Sequence, residues 1–147
     1  MDKTKYGKYI VTELQAPDFG PETVRSYSQF AKRILWIDDN VVEGSFQMNC
    51  SWYLSPMPPR DENSKGGEHF HETDEIIGFF GSDPDFPHDL NGEIEFKIED
   101  EEHIITKSCL IFVPKGIKHG IPFLRHVEKP IFHFTTVTGG EWGPKFT

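Results

Sequence analysis

The sequence predicts an all-β domain of short strands closed into a barrel or sandwich, and three observations carry that prediction. Two segments alternate with the two-residue period of a strand. Thirteen glycines and eleven prolines are spread along 147 residues, as frequent turns require. Aromatic residues make up 14% of the chain, with 13 Phe among them. That is rich for a disordered chain, and the length suits one domain with one core.

The elements follow in order. Residues 1–30 are mixed: Tyr6 to Leu14 reads as an edge strand or an arm, Pro17 to Pro21 as a turn, and Glu22 to Phe30 as a short helix or loop. Arg33 to Asp38 is an apolar run that ends in the turn-like Asp38-Asp39-Asn40. In Phe46 to Leu54, Met48, Cys50, Trp52 and Leu54 share one face, and Gln47, Asn49, Ser51 and Tyr53 share the other. Ser55 to Gly67 is polar and rich in Pro and Gly, hence a loop. His69 to Phe80 reads as a strand with a break near Gly78. Gly81 to Gly92 reads as a long loop. Glu93 to Glu99 alternates again, with Ile94, Phe96 and Ile98 on one face. The acidic run Glu99 to Glu102 is expected to be an exposed turn. Cys109 to Val113 is apolar up to Pro114, and Pro130 to Val137 is the last clear strand.

Charge narrows the function. Fifteen basic and 24 acidic side chains give a net charge of −9, which repels phosphate backbones and anionic lipid surfaces. A small-molecule partner is expected, with no nucleic acid and no membrane. No stretch approaches the ~20 apolar residues of a membrane span, and Met1 to Lys5 lacks the apolar run of a secretory signal. Cys50 and Cys109 sit in strand-like apolar stretches and read as reduced thiols of a cytoplasmic protein.

The informative segment is Gly66-Gly67-Glu68-His69-Phe70-His71-Glu72-Thr73-Asp74-Glu75. In a regular strand His69, His71, Thr73 and Glu75 point the same way. Two imidazoles can then converge on one ion, and a carboxylate on the same face completes a set that suits Fe(II) and leaves coordination positions open. Glu72 and Asp74 point away. A second segment, Pro114-Lys115-Gly116-Ile117-Lys118-His119, pairs a strand stop and a turn-permitting glycine with a further histidine. An H-x-H alone is common by chance; the two segments together, in this order, are far less so.

These two segments resemble the paired motifs of the cupin superfamily. His69-x-His71-x3-Glu75 is similar to the first motif and Pro114-x-Gly116-x2-His119 to the second. Gly92 to Phe96 resembles the strand between them. The resemblance covers about residues 46 to 137 and implies a double-stranded β-helix, the cupin jelly-roll barrel. It implies that His69, His71, Glu75 and His119 bind one divalent metal ion, and that the protein is a homodimer. The expected layout is an N-terminal arm or short helix over residues 1–30 packing on a barrel of 31–147. Asn63 stands where the first motif usually opens with Gly, Phe123 stands where the second often closes with Asn, and Ser82 to Asn91 is an added loop.

The metal is expected to be Fe(II), with Zn, Mn or Ni as alternatives. The function expected is that of a metal-dependent enzyme on a small polar organic molecule, an oxidoreductase of the dioxygenase kind. A metal-dependent isomerase, epimerase or lyase, or a non-catalytic ligand-binding cupin, is the alternative. His133 is the candidate catalytic residue, as a proton carrier or as a partner to a ligating histidine; it reads equally as a half-buried strand histidine. Arg33, Arg60 and Lys65 are candidates for an anionic substrate group, and read otherwise as ordinary solvated side chains. Trp52, Phe79, Phe112 and Phe123 are candidates for an apolar pocket wall or for plain core. His88, His103 and His126 read as solvated.

Overall fold

Period-two alternation marks the clearest strands, and the computed structural model, which describes residues 4–60, 67–139 and 145–146, shows how they pair. The strands are β1 (Ala31–Ile37), β2 (Gln47–Tyr53), β3 (His69–Phe70), β4 (Glu75–Gly81), β5 (Asp89–Ile98), β6 (Glu101–Lys107), β7 (Cys109–Val113), β8 (Phe123–Val127), β9 (Ile131–Val137) and β10 (Lys145–Phe146). A five-stranded sheet runs β1-β2-β9-β4-β7 and a three-stranded sheet β6-β5-β8, with β3 paired to β10. Every pairing is antiparallel. Ile77 and Phe79 of β4 share one apolar core with Ile94 and Phe96 of β5 and Leu124 of β8, so the two sheets close over each other. The architecture is a double-stranded β-helix.

The inner face of the large sheet is more polar than the outer. In β2 it is Gln47, Asn49, Ser51 and Tyr53 that are buried, while Met48, Cys50 and Trp52 face outward. A polar inner face costs free energy unless the groups it presents find partners or a ligand. The outer face is correspondingly apolar. Trp52 meets Phe132 at 5.4 Å and Phe80 stacks on Phe134 at 6.0 Å. Beyond them Leu110 and Phe112 are 64% and 60% exposed.

One irregularity positions the site. The β1–β2 pairing shifts between Arg33 and Leu35, so Ile34 is a bulge. Arg33 lies opposite Ser51 and Trp36 opposite Asn49, both buried-face positions of β2. Strict alternation would send residues 33 and 36 to opposite faces; the extra residue brings both inward.

The structure departs from the sequence expectations at several elements. Tyr6 to Leu14 contains a 3-10 turn, Gly7–Tyr9, in place of a strand. Glu22 to Phe30, read as a short helix or loop, does hold a helix, α1 (Pro21–Ser28), which begins with Pro at its first position and packs on β1. The chain breaks between β3 and β4, at residues 71–74, and continues through Gly78. β5 starts at Asp89, inside the expected loop. The acidic run supplies the start of β6, an edge strand that meets water along most of its length, which is why it carries charge. Of the expected loop Ser55 to Gly67, residues 61–66 lie outside the described residues, with Asn63, Lys65 and Gly66 among them.

Candidate metal centre

A straight strand would separate His71 from Glu75 by about 13 Å at ~3.3 Å per residue. The bend at residues 71–74 removes that separation. His71 Nε2 lies 3.5 Å from Glu75 Oε2, and His119 Nε2 lies 2.9 Å from Glu75 Oε1. The four residues expected as ligands therefore meet, through a bend and not through the shared strand face that the sequence suggested.

The second segment is fastened to the first by backbone hydrogen bonds. His69 N–H donates to the His119 carbonyl at 2.9 Å, and His119 N–H donates back to the His69 carbonyl at 2.8 Å. Gly116, held at φ +80°, donates its N–H to the His71 carbonyl at 2.8 Å. Lys115 N–H donates to Asp74 Oδ1 at 2.9 Å, so Asp74 ties the two segments together from outside the cluster. Glu72 is exposed.

The rings are oriented by carbonyls. His69 Nδ1 donates to Gly67 O at 2.7 Å and His119 Nδ1 donates to Ile117 O at 3.0 Å. A carbonyl can only accept, so Nδ1 carries a proton in each ring, and in the neutral form Nε2 presents its lone pair. This is the arrangement a metal-ligating imidazole needs. Burial lowers the pKa of His69, partly opposed by the Gly67 carbonyl. Burial also pulls His119 down, but the Glu75 carboxylate and the Ile117 carbonyl outweigh it and leave it raised.

The donor set fits a cation. All four side chains are at most 7% exposed, and the ligand atoms of His69, His71 and His119 lie within 4.8 Å of one another. His119 Nε2 and Glu75 Oε1 face one another across 2.9 Å, both buried. So close a buried imidazole–carboxylate pair is satisfied by a cation shared between them, a proton or a metal ion. Ligands at right angles about a cation at ~2.1 Å are about 3 Å apart, close to the 2.9 and 3.5 Å observed here. The His cluster could hold a metal ion.

The cluster opens onto a cavity of about 270 Å³. His69, Glu75 and His119 line one part of it, and Phe19, Tyr27, Arg33, Trp36, Asn49, Tyr53, Ile77 and His133 are among its other walls. His133 is slotted between Tyr53 (4.6 Å, 15°) and Phe79 (5.0 Å, 19°). Its Nδ1 donates to the Gly78 carbonyl at 3.1 Å. Burial pulls its pKa down to about 4, Gly78 opposing and Arg33 adding to the shift, so the ring is neutral near pH 7. Tyr53 is pushed well up by burial and by Tyr27, with Arg33 opposing. Tyr27 Oη donates to Ser51 Oγ at 2.5 Å.

Other sequence candidates resolve differently. Trp52 and Phe112 are on the outer face, Phe79 is core, and Phe123 lies under the Arg60 guanidinium at 4.4 Å. Arg60 pairs with Glu95 at 3.4 Å. Lys65 lies outside the described residues. His88, His103 and His126 are exposed. Cys50 and Cys109 are free and half-buried, burial raises both, and neither lines the cavity. The sequence reading missed Tyr27, Trp36 and Tyr53 as cavity walls. Tyr53 had a usable signal, since it shares a strand face with Asn49 and Ser51. Tyr27 and Trp36 depend on helix docking and on the bulge.

No protein-family model matches the chain, and no curated protein matches it in sequence. Solved structures do resemble it. A double-stranded β-helix domain protein from Klebsiella pneumoniae is 11% identical with a TM-score of 0.54, over 100% of this chain and 98% of that one. A recombinant oxalate oxidase in complex with glycolate is 12% identical with a TM-score of 0.53, over 95% of this chain and 63% of that one. Peruvianin-I, a cysteine peptidase from Thevetia peruviana latex, is 10% identical with a TM-score of 0.57, over 99% and 80%. The chain thus spans less than two thirds of the oxalate oxidase. At these identities the likeness is one of fold.

Proposed function

Starting from a chain that folds as a cupin-type double-stranded β-helix, we propose that His69, His71, Glu75 and His119 hold one divalent metal ion and that the protein is a metal-dependent enzyme. Its substrate is a small polar organic molecule admitted to the adjoining cavity. The observation that carries the reading is the convergence of three buried imidazoles and one buried carboxylate, two of the rings aimed by carbonyl acceptors. Three histidines and a carboxylate suit Fe(II), and an oxygen-dependent oxidation of the dioxygenase kind is the first reading. When bound, the metal supplies Lewis-acid or redox chemistry beside the substrate.

The chain's own residues do the rest. Glu75 would offset part of a bound cation's charge. Tyr53, Trp36 and Ile77 wall the cavity and exclude water. His133 is the proton carrier of this reading: two stacked rings fix it in the cavity wall, and its low pKa makes it a transient acceptor that readily returns the proton. That same neutral imidazole favours a second reading, acid–base isomerisation or elimination without oxygen.

Residues 1–30 act as an arm on the barrel of 31–147, with α1 against β1 and with Thr23 and Tyr27 over the cavity. The apolar outer face supports a homodimer, and two free thiols suit the cytoplasm. Elemental analysis followed by oxygen uptake tests the assignment. Bound iron with substrate-driven uptake is the expected result. Bound metal with turnover but no uptake selects the second reading, and a protein purified without metal that fails to take up Fe(II), Mn, Ni or Zn contradicts both.

A further inference from the structure

Arg33 brings into the cavity a positive charge that no carboxylate of the described residues neutralises. Its polar partner is Asn49 Oδ1, a neutral acceptor. Around it stand the rings of Tyr27 at 4.5 Å, Phe19 at 4.8 Å and Trp36 at 5.5 Å. Glu75, in the same cavity, is turned to His71 and His119. By contrast Arg60 pairs with Glu95 and Arg125 with Glu93.

A guanidinium has five N–H donors lying in its plane. Ring faces attract the charge and fix the plane, but they do not satisfy donors along its edge. One amide oxygen leaves most of the fork unmatched in a partly buried site, where an unmatched charge is costly. The bulge at Ile34 and three aromatic side chains hold this charge in place, in a chain whose net charge is −9. A planar oxyanion is the group that matches the fork two bonds at a time.

We propose that Arg33 anchors a carboxylate of the substrate, so that the ligand is a small organic acid whose second polar group, a hydroxyl, oxo or thiol, reaches the His–Glu cluster. The second half rests on the metal-centre reading; the carboxylate anchor does not. The charges agree: a divalent cation, the Glu75 carboxylate and Arg33 leave an excess of two positive charges, which a carboxylate and an ionisable donor offset. The size agrees as well, since about 270 Å³ falls below the roughly 300–1,000 Å³ of drug-sized sites. The aromatic walls and Ile77 suit a short apolar carbon frame between the two polar ends.

Titration calorimetry of the purified full chain with two acid–amide pairs tests the proposal: lactate against lactamide, and mandelate against mandelamide. At least one acid is expected to bind tenfold or more tightly than its amide. Arg33→Met is expected to erase that preference while circular dichroism and metal content stay as in wild type. Arg33→Lys retains part of it, because the charge persists without the fork. A purely structural Arg33 would leave the acid–amide preference of a folded variant unchanged. The proposal is overturned if neither acid binds, if acid and amide bind alike, or if a folded Arg33→Met protein keeps the wild-type preference. Should Arg33→Met not fold, an unchanged preference in Arg33→Lys overturns it instead. Arg33-dependent acid binding by a protein that takes up no metal would reject the metal centre and leave the anchor standing.

Discussion

At the scale of single residues, burial decides what each histidine can do. His133 is neutral because its ring is enclosed by Tyr53 and Phe79, and the folded pKa of about 4 lies below the ~6.5 of an unfolded chain. Between those values the unfolded state binds more protons. The contribution is therefore complete above about pH 6.5 and is lost as pH falls towards 4, to the extent of about 3 kcal/mol. Urea unfolding at pH 7 and pH 4.5 is expected to show a smaller pH-dependent loss in His133→Phe than in wild type; equal losses would contradict the assignment. His71 is expected to behave differently. Altering a partner that orients a ligand costs 10–100-fold in metal affinity, so His71→Ala should cost about 100-fold or more, read by competition with a chelator. The four clustered residues were legible in the sequence because residue type, spacing and order all constrained them. Arg33 was legible as a candidate cation, whereas its aromatic surround was not, because Phe19, Tyr27 and Trp36 gather only after folding.

At the scale of elements, two local irregularities build the site. The bend between β3 and β4 brings Glu75 to His71 and His119, and the bulge in β1 brings Arg33 and Trp36 to one face. Neither leaves a periodic signal, since alternation describes strands and is silent where the chain departs from them. The strongly alternating segments Phe46 to Leu54 and Glu93 to Glu99 were read as strands for that reason. β8 was missed because Arg125 and His126 interrupt its alternation, and β6 because its charges match those of a turn. Which face of β2 turns inward was also not decided by the pattern; the polar one does, towards the cavity. The crossing of β4 and β5 offers an independent test. A Cβ on Gly81 would stand 2.0 Å from the Asp89 carbonyl oxygen, a backbone atom that cannot swing aside. Gly81→Ala is expected to cost about 1–3 kcal/mol, measured as a lower urea midpoint. Unchanged stability would mean that the two strands are not so close.

At the scale of the whole molecule, the cavity and the outer face of the large sheet make opposite demands. The inner face carries the polar groups of the site. The outer face carries Trp52, Phe132, Phe80 and Phe134, with Ile76, Leu110 and Phe112 exposed beside them. Exposed apolar side chains grouped on one face predict that a second copy of the chain covers them with the same patch. Light scattering is expected to give a dimer for the wild type and a monomer for Leu110→Glu/Phe112→Glu, with metal content retained; a dimeric double variant would place the interface elsewhere. The central claim remains the joint occupancy of four side chains by one cation. Anomalous diffraction from crystals of the protein, collected at the absorption edge of the metal found by elemental analysis, tests it most directly. The expected map has a single strong peak about 2.0–2.3 Å from a ring nitrogen of each of His69, His71 and His119 and from an oxygen of Glu75. A peak bound elsewhere, or no peak among these four residues in a metal-loaded crystal, would contradict the account.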